Sequence, residues 1–277
     1  LSETTRYPYY SACTADQKQE NATPSLPIMK NRILERLPAA ELMGLLPHLE
    51  PIELPLGYCI VPVRDEFRYV YFPESGICSI IAVSPAGRKV ESGMFGREGF
   101  GPTAAAVGVG FSRQEILIQS PGNGFRILLE PFREQLAQSP ALMVLLVLFA
   151  YNLATQASYT ALSNRIHRVE VRLARWLLMC HDRLSGDHIG ITQEYIALML
   201  AIRRPSVTTA LHILEGKGFI RSNRKLVTIR NRRSLEVFAF DAYGEPEEEY
   251  RHLFGNLSSG DTMEQVSHSW RSGGITA

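Results

Sequence analysis

The sequence predicts an α+β chain in three parts: an N-terminal antiparallel β-roll, jelly-roll-like, then one long helix, then two short helices with a β-hairpin behind them. Three observations carry that prediction. From Pro51 to about Glu130, short β-branched and aromatic runs such as YVYF and SIIAV are separated by Gly, Pro, Asn and Ser turns. From Ser139 to Asn164 no residue is charged. From Ile191 to Ile220, ITQEYIALMLAIRRPSVTTALHILEGKGFI repeats apolar residues at helical spacing twice, with a break of only a few residues. A chain of 277 residues, 45% hydrophobic, has room for two modest domains with filled cores.

The segments follow in order. Residues 1–28 are polar and aperiodic, with Pro8, Pro24 and Pro27, and read either as a disordered leader or as sequence ahead of a start at Met29. Residues 29–138 open with an amphipathic helix, MKNRILERL, and continue into the β texture. Strands at such spacing fit an antiparallel roll or barrel rather than βαβ units. There is no Gly-rich loop ending in a P-loop Lys-Ser/Thr. Residues 139–164 are the long helix. Its strongly apolar part covers only Ala141 to Tyr151 before Asn152, Thr155, Gln156, Ser158, Thr160 and Ser163 dilute it. A membrane span needs about 20 apolar residues, so the reading is a helix packed on protein, with Leu142, Leu146, Phe149 and Leu153 at helical spacing. Residues 239–277, with GEPEEEY and then Gly and Ser, read as a flexible tail.

Charge separates the parts. Arg165 to Ser234 holds 14 Lys and Arg against five Asp and Glu, although the whole chain is only +1. A basic module on an acidic body points to a polyanion partner for that module. In the helix before it, Arg165, Arg168, Arg172 and Arg175 read as an outer stripe, and His167 and His181 as structural. The four cysteines, Cys13, Cys59, Cys78 and Cys180, form no CxxC pair and no metal spacing, so no zinc or cysteine-ligated iron–sulfur site is expected. No nucleophile–base set or carboxylate pair can be nominated, so no catalytic residue is expected. The first residues lack the apolar core of a secretory signal, which fits a cytoplasmic protein.

The residues 165–238 carry the chemistry. Thr192 suits the N-cap of the first short helix, with Glu194 in its first turn. Ala201-Ile202 form the turn, and Pro205 suits the first positions of the second helix. Val207, Ala210, Leu211 and Leu214 face inward, which leaves Arg203, Arg204, Ser206, Thr208 and Thr209 outward. Two arginines oppose the macrodipole at a helix start, an arrangement that suits an anion or a guanine edge held there. Arginine forms a bidentate pair with guanine, and recognition helices read base edges with their N-terminal residues. Ser206 and Thr208 suit phosphates. FIRSNRKLVTI, two short β runs around Arg224 and Lys225, then reads as a wing touching the backbone. With Thr192 and Gln193 these residues make a winged helix-turn-helix whose partner is double-stranded DNA.

On these residues the chain resembles the Crp/Fnr family of bacterial transcription regulators, from Met29 to Phe238 and most specifically from Arg165 to Arg230. The resemblance implies a cyclic-nucleotide-binding-type β-roll, a dimerisation helix with Leu142, Leu146, Phe149 and Leu153 as its seam, and a Crp-type winged helix-turn-helix. It implies a homodimer and RNA polymerase as a further partner, with no membrane. Arg204 falls on the arginine that reads a guanine in the family. Pro205 and Thr209 replace a glutamate and a second arginine, so the operator differs. The family's nucleotide cassette maps a candidate effector pocket onto Glu98, Gly99 and Arg113. Gln114-Glu115 stands where the cassette has Ser or Thr after its arginine, and a carboxylate beside a phosphate is unfavourable. Cyclic AMP and cyclic GMP are therefore not expected, and the effector stays open. The alternative is a nucleotide-responsive regulatory protein acting on a protein partner, which has no use for the basic module or the wing.

Overall fold

The computed structural model describes residues 27–255; the expectation for residues 1–28 falls, but for its last two residues, outside them, as does the chain after 255. Two short helices come first, α1 (Arg32–Glu35) and α2 (Ala39–Leu45). Asn31 caps α1 through its Oδ1 and donates its Nδ2 to the carbonyls of Pro73 and Gly99, tying the entry of the chain to the sheet. Nine strands follow: β1 (Glu50–Leu54), β2 (Cys59–Val61), β3 (Asp65–Glu66), β4 (Tyr69–Pro73), β5 (Ile77–Val83), β6 (Lys89–Phe95), β7 (Phe111–Ser112), β8 (Gln114–Ser120) and β9 (Gly122–Leu128). They pair antiparallel as β1-β9-β4, β2-β8-β5-β6 and a short β3-β7. Then come α3 (Leu129–Gln138), α4 (Pro140–Ile166) and α5 (Val169–Arg183). The last part holds β10 (His188–Gly190), α6 (Gln193–Met199), α7 (Arg204–Gly216), β11 (Ile220–Asn223), β12 (Leu226–Ile229), α8 (Arg232–Ala239) and α9 (Glu245–Gly255), with a sheet ordered β10-β12-β11.

Two cores share one wall. Successive side chains of a strand point to opposite faces of its sheet. On β5, Cys78 and Ile80 face the inside of the roll, with Phe95, Phe100 and Phe149. Ile77 and Ile81, with Met94, face the other way, into a second core with Leu173, Trp176 and Leu177 of α5, Met199 of α6 and Leu211 of α7. The helix-turn-helix is thus docked on the outer face of the β2-β8-β5-β6 sheet. Polar groups cross the same junction. Trp176 Nε1 donates to Glu91 Oε1 at 2.8 Å, and Gln119 Nε2 lies 3.1 Å from Cys180 Sγ.

Helix α4 lies along the roll. Its Ser139 cap accepts from the Leu142 amide. Gln156 exchanges two hydrogen bonds with the Met94 backbone, at 2.7 and 3.2 Å, and so extends the pairing at the end of β6. This helix is long and apolar enough to cross a membrane, but 56% of its most apolar window is buried inside the chain.

Three expectations are corrected. Leu142, Leu146 and Phe149 are 1%, 0% and 2% exposed in the single chain, and Leu153 packs on the same core. They face the roll, and the first three leave almost no surface for a second copy to meet. An uncharged helix, apolar almost all round, does not reveal by spacing which side meets which neighbour. Second, the segment after residue 239 is not all tail. Pro246, Tyr250, Leu253 and Phe254 form the apolar side of α9, Tyr250 and Phe254 stack with centroids 4.4 Å apart, and Asn152 donates to the Pro246 carbonyl. The run of glutamates hid the apolar spacing behind it. Third, Arg175 is buried: α5 packs against α7 and α8, and the Arg175 guanidinium reaches the Gln156 carbonyl of α4 at 3.4 Å.

Candidate nucleic-acid interface

The Thr192 Oγ1 accepts from the Tyr195 amide at 3.2 Å and caps α6. Ala201 then takes a left-handed conformation, φ +49°, which turns the chain within a few residues. Arg203 is the extended residue before α7, Arg204 its first residue and Pro205 its second. Pro205 lacks an N–H at a position where none is needed. Both arginines are exposed.

Glu194 offsets the adverse macrodipole. Its carboxylate lies 3.2 Å from Arg204 Nη1, with both side chains more than 60% exposed. An ion pair so open to water is weak, so it orients Arg204 without locking it. Thr208 Oγ1 donates to Gln193 Oε1 at 2.9 Å, linking the two helices of the motif. Thr209 bonds back to the Pro205 carbonyl. The wing is a two-residue hairpin: Asn223 pairs with Leu226, which leaves Arg224 and Lys225 at the tip. A hollow of about 230 Å³ is lined by Thr192, Gln193, Glu194, Arg204, Arg224 and Lys225. Six residues from a cap, a helix start and a wing, up to 33 positions apart in the chain, therefore meet at one surface. Arg203 and Ser206 lie beside it on α7. Glu194's pairing was missed, although its spacing ahead of Arg204 across a short turn was a usable signal.

The effector residues are not brought together. In the β5–β8 register Ala82 faces Gln114 and Ile77 faces Ser120, while Lys89 and Phe95 of β6 pair with Val83 and Cys78. Arg113 and Glu98 therefore sit at opposite ends of the sheet, about 20 Å apart at 3.3 Å per residue. Arg113 is exposed in a shallow hollow with Arg88 and Lys89, and Lys89 pairs with Glu115 at 2.7 Å. Gly99 is a packing position: a Cβ there would lie 2.1 Å from the Phe149 ring. Glu98 Oε1 lies 2.7 Å from Arg183 Nε.

Both histidines of α5 and its approach are paired, His167 with Asp241 and His181 with Asp187. Sequence reasoning missed the buried junction. Glu91 is 5% exposed, and burial lifts its carboxyl to about pH 7 despite the Trp176 hydrogen bond and the charges of Arg183 and Arg175. Its Oε2 and the Tyr195 hydroxyl are buried without partners. Among the described residues no cluster of His, Cys, Asp or Glu is arranged to hold a metal ion.

Residues 171–238 match the family profile described as the Crp-like helix-turn-helix domain. No curated protein matches the chain in sequence. Among solved structures, FixK2 from Bradyrhizobium japonicum is similar at TM-score 0.58 and 16% identity, covering 69% of this chain and 96% of that one. CLP of Xanthomonas campestris, described as a c-di-GMP responsive global regulator, is similar at TM-score 0.57 and 18% identity, covering 69% and 99%. A transcriptional regulator of the Crp/Fnr family from Eubacterium rectale is similar at TM-score 0.57 and 16% identity, covering 76% and 98%. These structures share with this chain a β-roll followed by a helix-turn-helix module. The fold here is of the Crp/Fnr type, and residues 171–238 are its Crp-like helix-turn-helix domain.

Proposed function

We propose that the chain is a homodimeric, sequence-specific regulator of transcription that binds double-stranded DNA in the bacterial cytoplasm through α7 and the wing. The observation that carries this reading is the single surface on which Arg204 meets Arg224 and Lys225. Arg204, at the exposed N-terminus of α7, reads a base edge; Arg203, Ser206, Thr209 and the cap residues Thr192 and Gln193 position the backbone; Arg224 and Lys225 hold the flanking phosphates.

The dimer seam of this proposal is the free side of α4. Tyr151, Ala154, Ser158 and Leu162 recur at steps of three and four and are exposed, with Ile166 beyond them. Two modules related by a two-fold axis read inverted half-sites one helical turn apart, about 34 Å. Duplex binding titrated against salt tests the reading: several phosphate contacts give a steep log–log slope. A flat salt response, or no preference for any selected duplex over a random one, would overturn it.

A further inference from the structure

A cavity of about 540 Å³ opens where the roll, α4, the end of α5 and α9 converge. It is separate from the surface formed by α7 and the wing, and its lining holds five arginines and four carboxylates. Arg32 and Arg97 stand side by side at it, the Arg32 amide donating to the Arg97 carbonyl at 2.7 Å. Among the described residues neither has an ion-pair partner. Deeper in, Arg183 has a side chain 9% exposed and faces Glu98 at 2.7 Å. The approach is off the N–H direction, so Arg183 Nε and Glu98 Oε1 are both buried without a directed hydrogen bond. A buried guanidinium with one donor unused is an incomplete site, because an unmade hydrogen bond at a buried charge is costly.

The remaining polar lining is already engaged. Arg232 donates to Asp182, Glu236 and the Tyr243 hydroxyl. Asn152 and Gln156 are held by backbone partners. Glu247 Oε2 accepts from the Gly244 amide at 3.2 Å, and burial pushes its carboxyl upward. The unused capacity is therefore cationic and donor-only: guanidinium forks that fit the oxygens of phosphates and carboxylates.

We propose that this cavity is an effector site for a small anion bearing a phosphate or clustered carboxylates, held by Arg32, Arg97 and Arg183. Arg183 ends the helix on which the helix-turn-helix is mounted, and Glu98 belongs to the roll. An anion that takes the Arg183 donors competes with Glu98 for them, so its binding loosens the attachment of one part to the other. The regulatory half of this inference rests on the DNA-binding reading; the anion site itself does not.

The test uses the full chain in a buffer free of multivalent anions, titrated with inorganic phosphate and, separately, citrate, against sodium chloride at matched ionic strength. Saturable heat in calorimetry from phosphate or citrate is expected, with the better of the two identifying the head group. Arg97→Ala, an exposed substitution that leaves the fold intact, should weaken that binding roughly tenfold, and Arg32→Ala/Arg97→Ala further. Arg221→Ala, a surface arginine elsewhere, should leave it unchanged. Equal responses to chloride, or a wild-type response in the double variant, would overturn the site. Saturable, Arg97-dependent binding with no shift in duplex affinity would overturn its effector role. A chain that binds no duplex in any condition would instead remove the DNA-binding reading, while calorimetry still decides the anion site.

Discussion

At the scale of single residues, Arg204 and Lys225 lie on one surface but are assigned different work. Arg204→Ala should cost about 1–3 kcal/mol on the preferred duplex and relax preference at one base pair. Lys225→Ala should weaken all duplexes similarly and reduce the salt slope by about one. Competition binding on preferred and random duplexes separates the two; equal losses for Arg204→Ala would make it a phosphate contact. Glu91 gives a second test, through acidity. Its carboxyl ionises near pH 7 in the fold, against an ordinary value of 4.5. Between those values the unfolded chain holds fewer protons than the folded one, so stability falls as pH rises through that window and levels off above about 7. The loss is on the order of 3 kcal/mol. Glu91→Gln should abolish this slope, and denaturant melts from pH 5 to 8 measure it. The place of Arg204 at the start of α7 was legible in the sequence because a helix start with Arg-Arg-Pro is locally anomalous. Glu91 was not, because an acid in a strand looks like any solvent-facing position until the opposing surface is known.

At the scale of elements, α4 has two faces with different expected behaviour. Leu146→Ala removes a fully buried side chain and should lower stability by about 2–5 kcal/mol. Leu162→Glu changes a side chain that is 47% exposed and should leave the circular dichroism spectrum intact while converting dimers to monomers in sedimentation. Monomers produced by neither change would remove α4 from the dimer. In α9, Phe254→Ala should cost about 3–5 kcal/mol, because that ring is 2% exposed in the core of the roll. The existence of α4, α6, α7 and the wing could be read from period and punctuation alone. The orientation of α4 could not, since facing requires a difference between faces and its apolar half has none. Helix α9 was hidden by composition: four glutamates outweighed a Pro246, Tyr250, Leu253 and Phe254 pattern that has helical spacing.

At the scale of the whole molecule, the two parts hold one core in common, with Ile77, Ile81 and Met94 of the roll inside the core of the helix-turn-helix. Met94→Ala should therefore raise hydrogen exchange in α6 together with β5 and β6; an unchanged α6 would show that the parts open independently. The run SIIAV signalled a buried strand in the sequence. That it is buried on both faces, by different neighbours, is a property of assembly that no local window contains. The wall between the cores also bears on how such a fold can diversify. A reading head that finishes its own interior can be grafted from one sensor to another as a cassette. Here residues 165–238, moved alone, would carry Trp176 and Tyr195 into water where Glu91, Ile81 and Met94 had covered them. Recombination at the boundary is thereby penalised, and the roll and the helix-turn-helix must change in step, a substitution on β5 answered by one on α5 or α6.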